Sequence, residues 1–404
     1  MKKEGIVVAV ALLGLCRAQS IVLRTTTILD GQGRILRNQD IVVQGGRIAR
    51  VGASEGAAEY DLRGLTVMPG WIDTHVHLGY HFNRENRFDD GGPGSRETPQ
   101  QIALRAEANA YSTLRGGFTT VQSLGQEIDG DLRGLIATGL LPGPRVLTSL
   151  RAVTEKTGTP DQIRAYVRKM KADGADVIKL FATASIRDGG KQTMTDQQVQ
   201  AACGEARALG LRSVVHAHAP GGARAAVLAG CTSIEHGAFL DDATLQLIAD
   251  RGLYFDPNFL VLHNYLENKP KFLGIGNYTE EGFAYMQQGV PLMAAVLKRA
   301  MAHHVKIVFG TDAVAGAHGR NAEEFIYRVR DGGQAPMDAL VSAGSLAASS
   351  LGLEDRIGTI ASGRQADLVA VAGNPLEDIG AVRNVVFVMK GGRVLRNEAL
   401  KDGR

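Results

Sequence analysis

The 404-residue chain has only three cysteines, too few for a disulfide framework or a cysteine-rich metal module. It has little net charge, +3 from 45 basic and 42 acidic residues, which argues against a nucleic-acid partner. Its apolar run near the start, Ile6 to Leu15, is too short to anchor the chain across a bilayer. No Gly-x-Gly-x-x-Gly joins a strand to a helix, so a doubly wound dinucleotide-binding sheet, the runner-up architecture, lacks its fingerprint. What remains is ordinary for a packed globular protein, 44% hydrophobic and 22% charged, and excludes disordered, collagen-like and coiled-coil chains.

The first 18 residues read as a secretory signal peptide. Lys2 and Lys3 precede the apolar run, and Cys16-Arg17-Ala18 supplies small residues before a cut after Ala18. Cleavage removes Lys2, Lys3, Arg17 and Glu4 and leaves a mature charge of +1. The expected location is therefore the periplasm or the exterior, with no membrane span after cleavage. Cys203 and Cys231 remain and could pair in an oxidising compartment.

Both ends of the mature chain are β-rich. Residues 19–66 combine β-branched runs such as Ile21 to Ile28 with turns at Asp30-Gly31 and Gly45-Gly46. Residues 357–404 repeat the pattern, with a strand over Ala366 to Val371 and a turn at Gly373-Asn374-Pro375. Neither end completes a sheet alone, so the two are expected to form one small β-sandwich. Between them, residues 67–356 alternate apolar strands with helical stretches. Strand candidates begin near Val67, Thr119, Arg145, Val177, Ser213, Ser233, Tyr254 and Lys306. Helical spacing marks Gln100 to Arg115, Pro160 to Ala172, Thr195 to Leu209, Gly222 to Ala229 and Asp242 to Arg251, and Thr195 with Gln198 resembles a capping box. Eight such units fit an α/β fold of the TIM-like (β/α)8 type.

Ionisable residues sit where these apolar strands end. His75 and His77 lie two apart in Trp71-Ile72-Asp73-Thr74-His75-Val76-His77, so they share a face and can hold one ion. Lys179 interrupts Val177-Ile178-Lys179-Leu180-Phe181, where a bare ammonium is costly to bury. His216 and His218 share a face, and His236 follows one strand–helix–strand step later. Asp312 ends the apolar run that begins at Val305. In a barrel these positions, at the ends of the first, fourth, fifth, sixth and eighth strands, converge on one mouth. Imidazole and carboxylate suit zinc and similar ions, the donors suffice for two, and two ions can share a hydroxide that attacks a carbonyl. Asp312 could take a proton there and pass it to a leaving amine.

Taken in order, Pro-Gly-Trp-Ile-Asp-Thr-His75-Val-His77, Val-Ile-Lys179-Leu, His216-Ala-His218, Ser-Ile-Glu-His236-Gly and Phe-Gly-Thr-Asp312 resemble the amidohydrolase superfamily. The nearest branch is the imidazolonepropionase-related one that includes prolidase-like Xaa-Pro dipeptidases. The resemblance covers nearly all of the chain after the leader. It implies two divalent metal ions, usually zinc, with His75 and His77 on one, His216 and His236 on the other, Asp312 on metal and acting as catalytic base, and Lys179 carbamylated by CO2 as a bridge. His216 and His218 compete for the fifth-strand ligand; the resemblance assigns His216 and leaves His218 facing substrate. It further implies a small-molecule or dipeptide substrate and admits a homo-oligomer. Candidates to hold a substrate carboxylate are Arg151, Arg187, Tyr254 and His263. The glycine-rich loop from His81 to Arg96 reads as a lid.

The expected function is metal-dependent hydrolysis of amide bonds in dipeptides, Xaa-Pro among them, or N-acyl amino acids. One alternative is a mononuclear deaminase or cyclic-amide hydrolase, and another is a non-catalytic exported binding protein.

Overall fold

The computed structural model describes residues 20–53, 55–92 and 94–399. The leader expected at residues 1–18 lies outside them. The two chain ends meet as expected, but in a single continuous sheet. Its order runs Arg393–Asn397, Val385–Lys390, Leu368–Ala372, Tyr60–Pro69, Ile21–Leu29, Asp40–Gln44, Arg47–Gly52, with Ile35–Arg37 added beside Ile21–Leu29. Seven strands run in one ladder with the eighth at its side, and backbone bonds from Ile48 N–H to Arg364 O and from Ala366 N–H to Gly46 O bring the far edge back beside the Leu368–Ala372 strand. The join is the antiparallel pairing of Leu368 with Pro69 and Ala370 with Val67.

Period-two alternation explains why this sheet sits against the rest of the molecule. Val67, Leu368 and Ala370 turn to one core with Leu23, Ile28, Ile41 and Phe387. Their neighbours Met68, Val369 and Val371 turn to the opposite side and pack with Trp71, Phe118, Phe309 and Phe325. One sheet thus serves two apolar cores.

The middle is a TIM-barrel-like α/β fold. Eight parallel strands are present: Trp71–Val76, Phe118–Ser123, Arg145–Thr148, Val177–Phe181, Arg212–Ala217, Ser233–His236, Tyr254–Asp256 and Lys306–Ile307; all but the first begin near the expected places, and the first starts at Trp71 because Val67 to Pro69 pair with the chain-end sheet. The ladders divide into a group of three and a group of six that adds Ala152–Val153. Backbone bonds bridge the divisions, from Asp176 N–H to Thr148 O and from Thr74 N–H to Phe309 O. Helix starts follow the sequence closely. Pro99–Arg115, Pro160–Ala172 and Asp196–Ala208 each open with a threonine–glutamine capping box, which satisfies amides the first turn would otherwise leave bare. Between the seventh and eighth strands the chain inserts Phe259–Glu267, Lys269–Phe272 and the long Glu280–Ala302 helix. Cys203, in Asp196–Ala208, is bonded to Cys231, which precedes Ser233–His236. Among the described residues no helix is long and apolar enough to cross a membrane.

Candidate metal centre

The strands position the polar residues by burying everything around them. Trp71–Val76 is buried along its whole length, and His75 and His77 emerge on one face with ring centroids 5.3 Å apart. Lys179 is 1% exposed, and its Nζ lies 3.2 Å from His75 Nε2. His216 sits near the end of Arg212–Ala217 and His236 closes Ser233–His236; their rings are 4.5 Å apart, and His236 is 5.4 Å from His75. Asp312 Oδ1 is 3.0 Å from His77 Nε2 and 3.4 Å from His75 Nε2. These six residues and His218 line one cavity of about 320 Å3.

Burial sets the protonation states. It holds His75, His216 and His236 well below the usual imidazole range, aided by Lys179 and by neighbouring rings. Burial, then Arg187 and Lys179, lower His218 to about 3. Neutral imidazole is the form that ligates metals. Burial also lowers Lys179, against the opposing charges of Glu235, Asp312 and Asp256. Burial alone would raise Asp312, but His75 and His77 outweigh it and hold the carboxyl below its ordinary value. Asp312 is therefore held as a carboxylate.

Orientation comes from the layer behind. His75 Nδ1 donates to Glu235 Oε2 at 2.8 Å, which aims the Nε2 lone pair at the Asp312 side of the cavity. Ser233 Oγ donates to Glu235 Oε1 at 2.7 Å. His216 Nε2 donates to Ala184 O at 3.2 Å and leaves Nδ1 free. His77 stacks on Tyr80, 4.5 Å between centroids, while its Nδ1 is buried without a partner. The donor atoms of His75, His77 and Asp312 lie within 4.8 Å of one another, so two imidazoles and a carboxylate can close on one small ion. Among the described residues Lys179 forms no ion pair. The residues fit a metal centre.

Of the candidates for substrate contact, Arg187 and His218 line the cavity. Arg187 follows the Val177–Phe181 strand, stacks 4.1 Å from the Tyr278 centroid and donates from Nε to Asn277 Oδ1 at 3.0 Å. Among the described residues it has no carboxylate partner. Arg151, Tyr254 and His263 do not reach the cavity. Arg151 is held by ion pairs to Glu127 and Asp173. Tyr254 is the first residue of its strand, so it lies at the end opposite the mouth, bonded to Ser349 Oγ at 2.9 Å. His263 is on a helix and stacks on Tyr327 at 3.8 Å. The expected lid folds in part as a hairpin of His81–Phe82 and Phe88–Asp89, with Phe82 and Phe88 packed on Phe272, so Phe88 and Asp90 form a wall of the cavity. Sequence reasoning missed Glu235, Tyr80, Tyr278 and Asn258. The signal for Glu235 was present: a carboxylate beside a ligand histidine in an otherwise apolar strand must find a buried partner.

Residues 66–395 match the amidohydrolase family model. The chain belongs to the amidohydrolase family. Its members are hydrolases of C–N bonds, and this chain is an enzyme of that class. Among curated amidohydrolase relatives, the ochratoxinase of Aspergillus niger is 24% identical, covering 95% of this chain and 88% of that protein. The imidazolonepropionase of Anaeromyxobacter dehalogenans is 26% identical, over 93% of this chain and 95% of that one. A solved Xaa-Pro dipeptidase with methionine in its active site superposes with a TM-score of 0.84 at 31% identity, covering 94% of this chain and 100% of that one. A prolidase complexed with N-methylphosphonate-L-proline gives 0.83 at 26%, with the same coverage.

Proposed function

We propose that this protein is an exported, binuclear-metal amidohydrolase that cleaves dipeptides, prolyl or not, or N-acyl amino acids, where the leaving group is an amino acid with a free α-carboxylate. The observation that carries this reading is the meeting of six candidate metal ligands with Arg187, which has no carboxylate partner among the described residues, in one cavity. Structural relatives crystallised with methionine or an L-proline analogue support the same leaving group.

Zinc or a similar divalent pair, held by His75, His77, Lys179, His216, His236 and Asp312, would supply Lewis acidity at the carbonyl and lower the pKa of water. The chain's own residues do the rest. Lys179, driven towards the neutral amine by burial, is a nucleophile that CO2 can carbamylate, which converts a costly buried cation into an anionic ligand. Asp312 takes a proton at its carboxylate as water adds to the carbonyl carbon. It returns that proton to the nitrogen as the C–N bond breaks. Arg187 holds the leaving group's carboxylate against Tyr278, where the guanidinium fork suits two oxygens. Export is supported by the Cys203–Cys231 bond, since such bonds persist in oxidising compartments.

The test is metal quantification followed by a dipeptide and N-acyl amino acid panel. Two equivalents of metal and turnover of carboxylate-bearing members are expected, with Arg187→Met raising KM. Fewer than one equivalent of metal, with full activity in Asp312→Asn, overturns the reading. The tight His75–His77–Asp312 group alone could serve a mononuclear deaminase or cyclic-amide hydrolase. That alternative requires Lys179→Ala to leave metal content and rate intact.

A further inference from the structure

Asn258 follows the Tyr254–Asp256 strand and occupies the N-cap of the Phe259–Glu267 helix. Asparagine at this position ordinarily accepts a bond from the helix's first free amides. Here it makes no such bond. Glu324, from the Glu323–Arg330 helix, has taken that task, accepting from Phe259 N–H at 3.0 Å and Leu260 N–H at 2.6 Å. Arg328 holds Glu324 in place through a 2.7 Å bond from Nε. The Asn258 side chain is thereby released. It is fully buried, lines the cavity with the proposed metal ligands, and among the described residues neither Oδ1 nor Nδ2 has a partner. Its backbone is left-handed, φ 55°, as it is at His236 (69°) and Asp312 (50°), also at strand ends around the cavity. A buried primary amide with both ends open calls for a ligand presenting one donor and one acceptor.

An extended amino-acid residue presents that pair on one edge, its own N–H and its own carbonyl or carboxylate oxygen, as each residue does in an antiparallel ladder. Resting on the hydrolase reading above, we infer that Asn258 is a specificity-determining residue that reads the backbone of the leaving amino acid. Oδ1 accepts from the N–H of the bond to be cut, and Nδ2 donates to the α-carboxylate that Arg187 also holds. The preferred substrates are therefore amides with hydrogen on the scissile nitrogen. Prolyl and N-methylated substrates leave Oδ1 buried and unpaired, the kind of mismatch that sites built around a hydrogen bond reject most strongly.

The experiment compares kcat/KM for Ala-Leu, Ala-(N-methyl)Leu and Ala-Pro in metal-loaded wild type, Asn258→Gly and Asn258→Asp. Glycine tolerates the left-handed backbone and deletes the amide; aspartate keeps the acceptor and loses the donor. Wild type is expected to favour Ala-Leu over the N-methyl substrate by about tenfold or more, the worth of one hydrogen bond in a dry site. Asn258→Gly should bring that ratio close to one with metal content unchanged. Asn258→Asp should keep the ratio and raise KM for all three. A ratio unmoved in Asn258→Gly, or a wild type that favours Ala-Pro, overturns this inference and leaves the hydrolase reading standing. A wild type inactive on the whole panel overturns both.

Discussion

Two sets of buried polar groups lie within a few residues of each other, and they are treated in opposite ways. Beneath the cavity, two buried ionic groups are densely bonded. Asp73 accepts from Thr311 Oγ1 at 2.7 Å, Asn321 Nδ2 at 2.8 Å and the amides of His75 and Thr311. Arg328, with no exposed surface, donates to Glu324, Asp256, Val308 O and Gly310 O. At the cavity wall, His77 Nδ1, His218 Nδ1 and both polar atoms of Asn258 are left open. Each unsatisfied group costs on the order of 1–3 kcal/mol in a folded interior. Other buried groups, such as Trp71 Nε1 and Thr119 Oγ1, also lack a partner among the described residues, but the four at the cavity lie where a ligand can reach. The closed set holds the fold together, and the open set is the surface offered to chemistry.

This contrast can be broken by substitution, and the largest effect belongs to the open set. Asp312→Asn should lower kcat by about 10²- to 10⁴-fold, the usual worth of a positioned acid–base group, with the melting temperature nearly unchanged. Steady-state kinetics beside thermal denaturation would separate the two readouts; a large loss of stability would put Asp312 in the closed set. Arg328→Met inverts the pattern. It leaves Asp256 and Glu324 buried without their cation, and the folded state should lose about 3–5 kcal/mol in urea unfolding.

Asp129 is an intermediate case. It is buried, accepts from Thr148 Oγ1 at 3.3 Å through one oxygen, and has no partner for the other. Burial, against opposing bonds from Ser123 and Thr148, raises its pKa from 3.8 to about 7. The folded state thus keeps a proton that the unfolded chain has already lost between those values. Its contribution is complete below about pH 4 and fades as pH rises through 7. Asp129→Asn should flatten that slope and be the more stable protein above pH 7, read as melting temperature against pH. Tyr254→Phe is the smallest test. Losing the Ser349 bond should cost about 1 kcal/mol and leave kcat/KM alone, because Tyr254 lies at the strand's far end.

The residues proposed to hold metal were legible because each violates its surroundings. A histidine, lysine or aspartate at the end of an apolar strand has few structural reasons to be there, and strand order brings such ends together. Seven of the eight strand positions and the five helices were legible from local signals, apolar runs and helical spacing; the first strand was placed at Val67, which an apolar run shared with the chain-end sheet hides. Arg151, Tyr254 and His263 were misplaced because residue type says nothing about direction. Tyr254 opens its strand instead of closing it, and Arg151 finds Glu127 and Asp173, whose separation from it in sequence hides the pairing. The insertion between the last two strands was invisible as a cavity wall, because its contribution depends on how Tyr265 and Tyr278 fold back over Arg187. Asn258 was missed for a subtler reason: an asparagine before a helix reads as a cap, and only the structure reveals that Glu324 already does that work.

That division of labour frees position 258. Because a residue some sixty-five places away closes the helix, the side chain at 258 can be exchanged for others that tolerate its left-handed backbone with little penalty to folding. A lineage could drift there from asparagine to glycine or aspartate, and alter what it digests without rebuilding the scaffold.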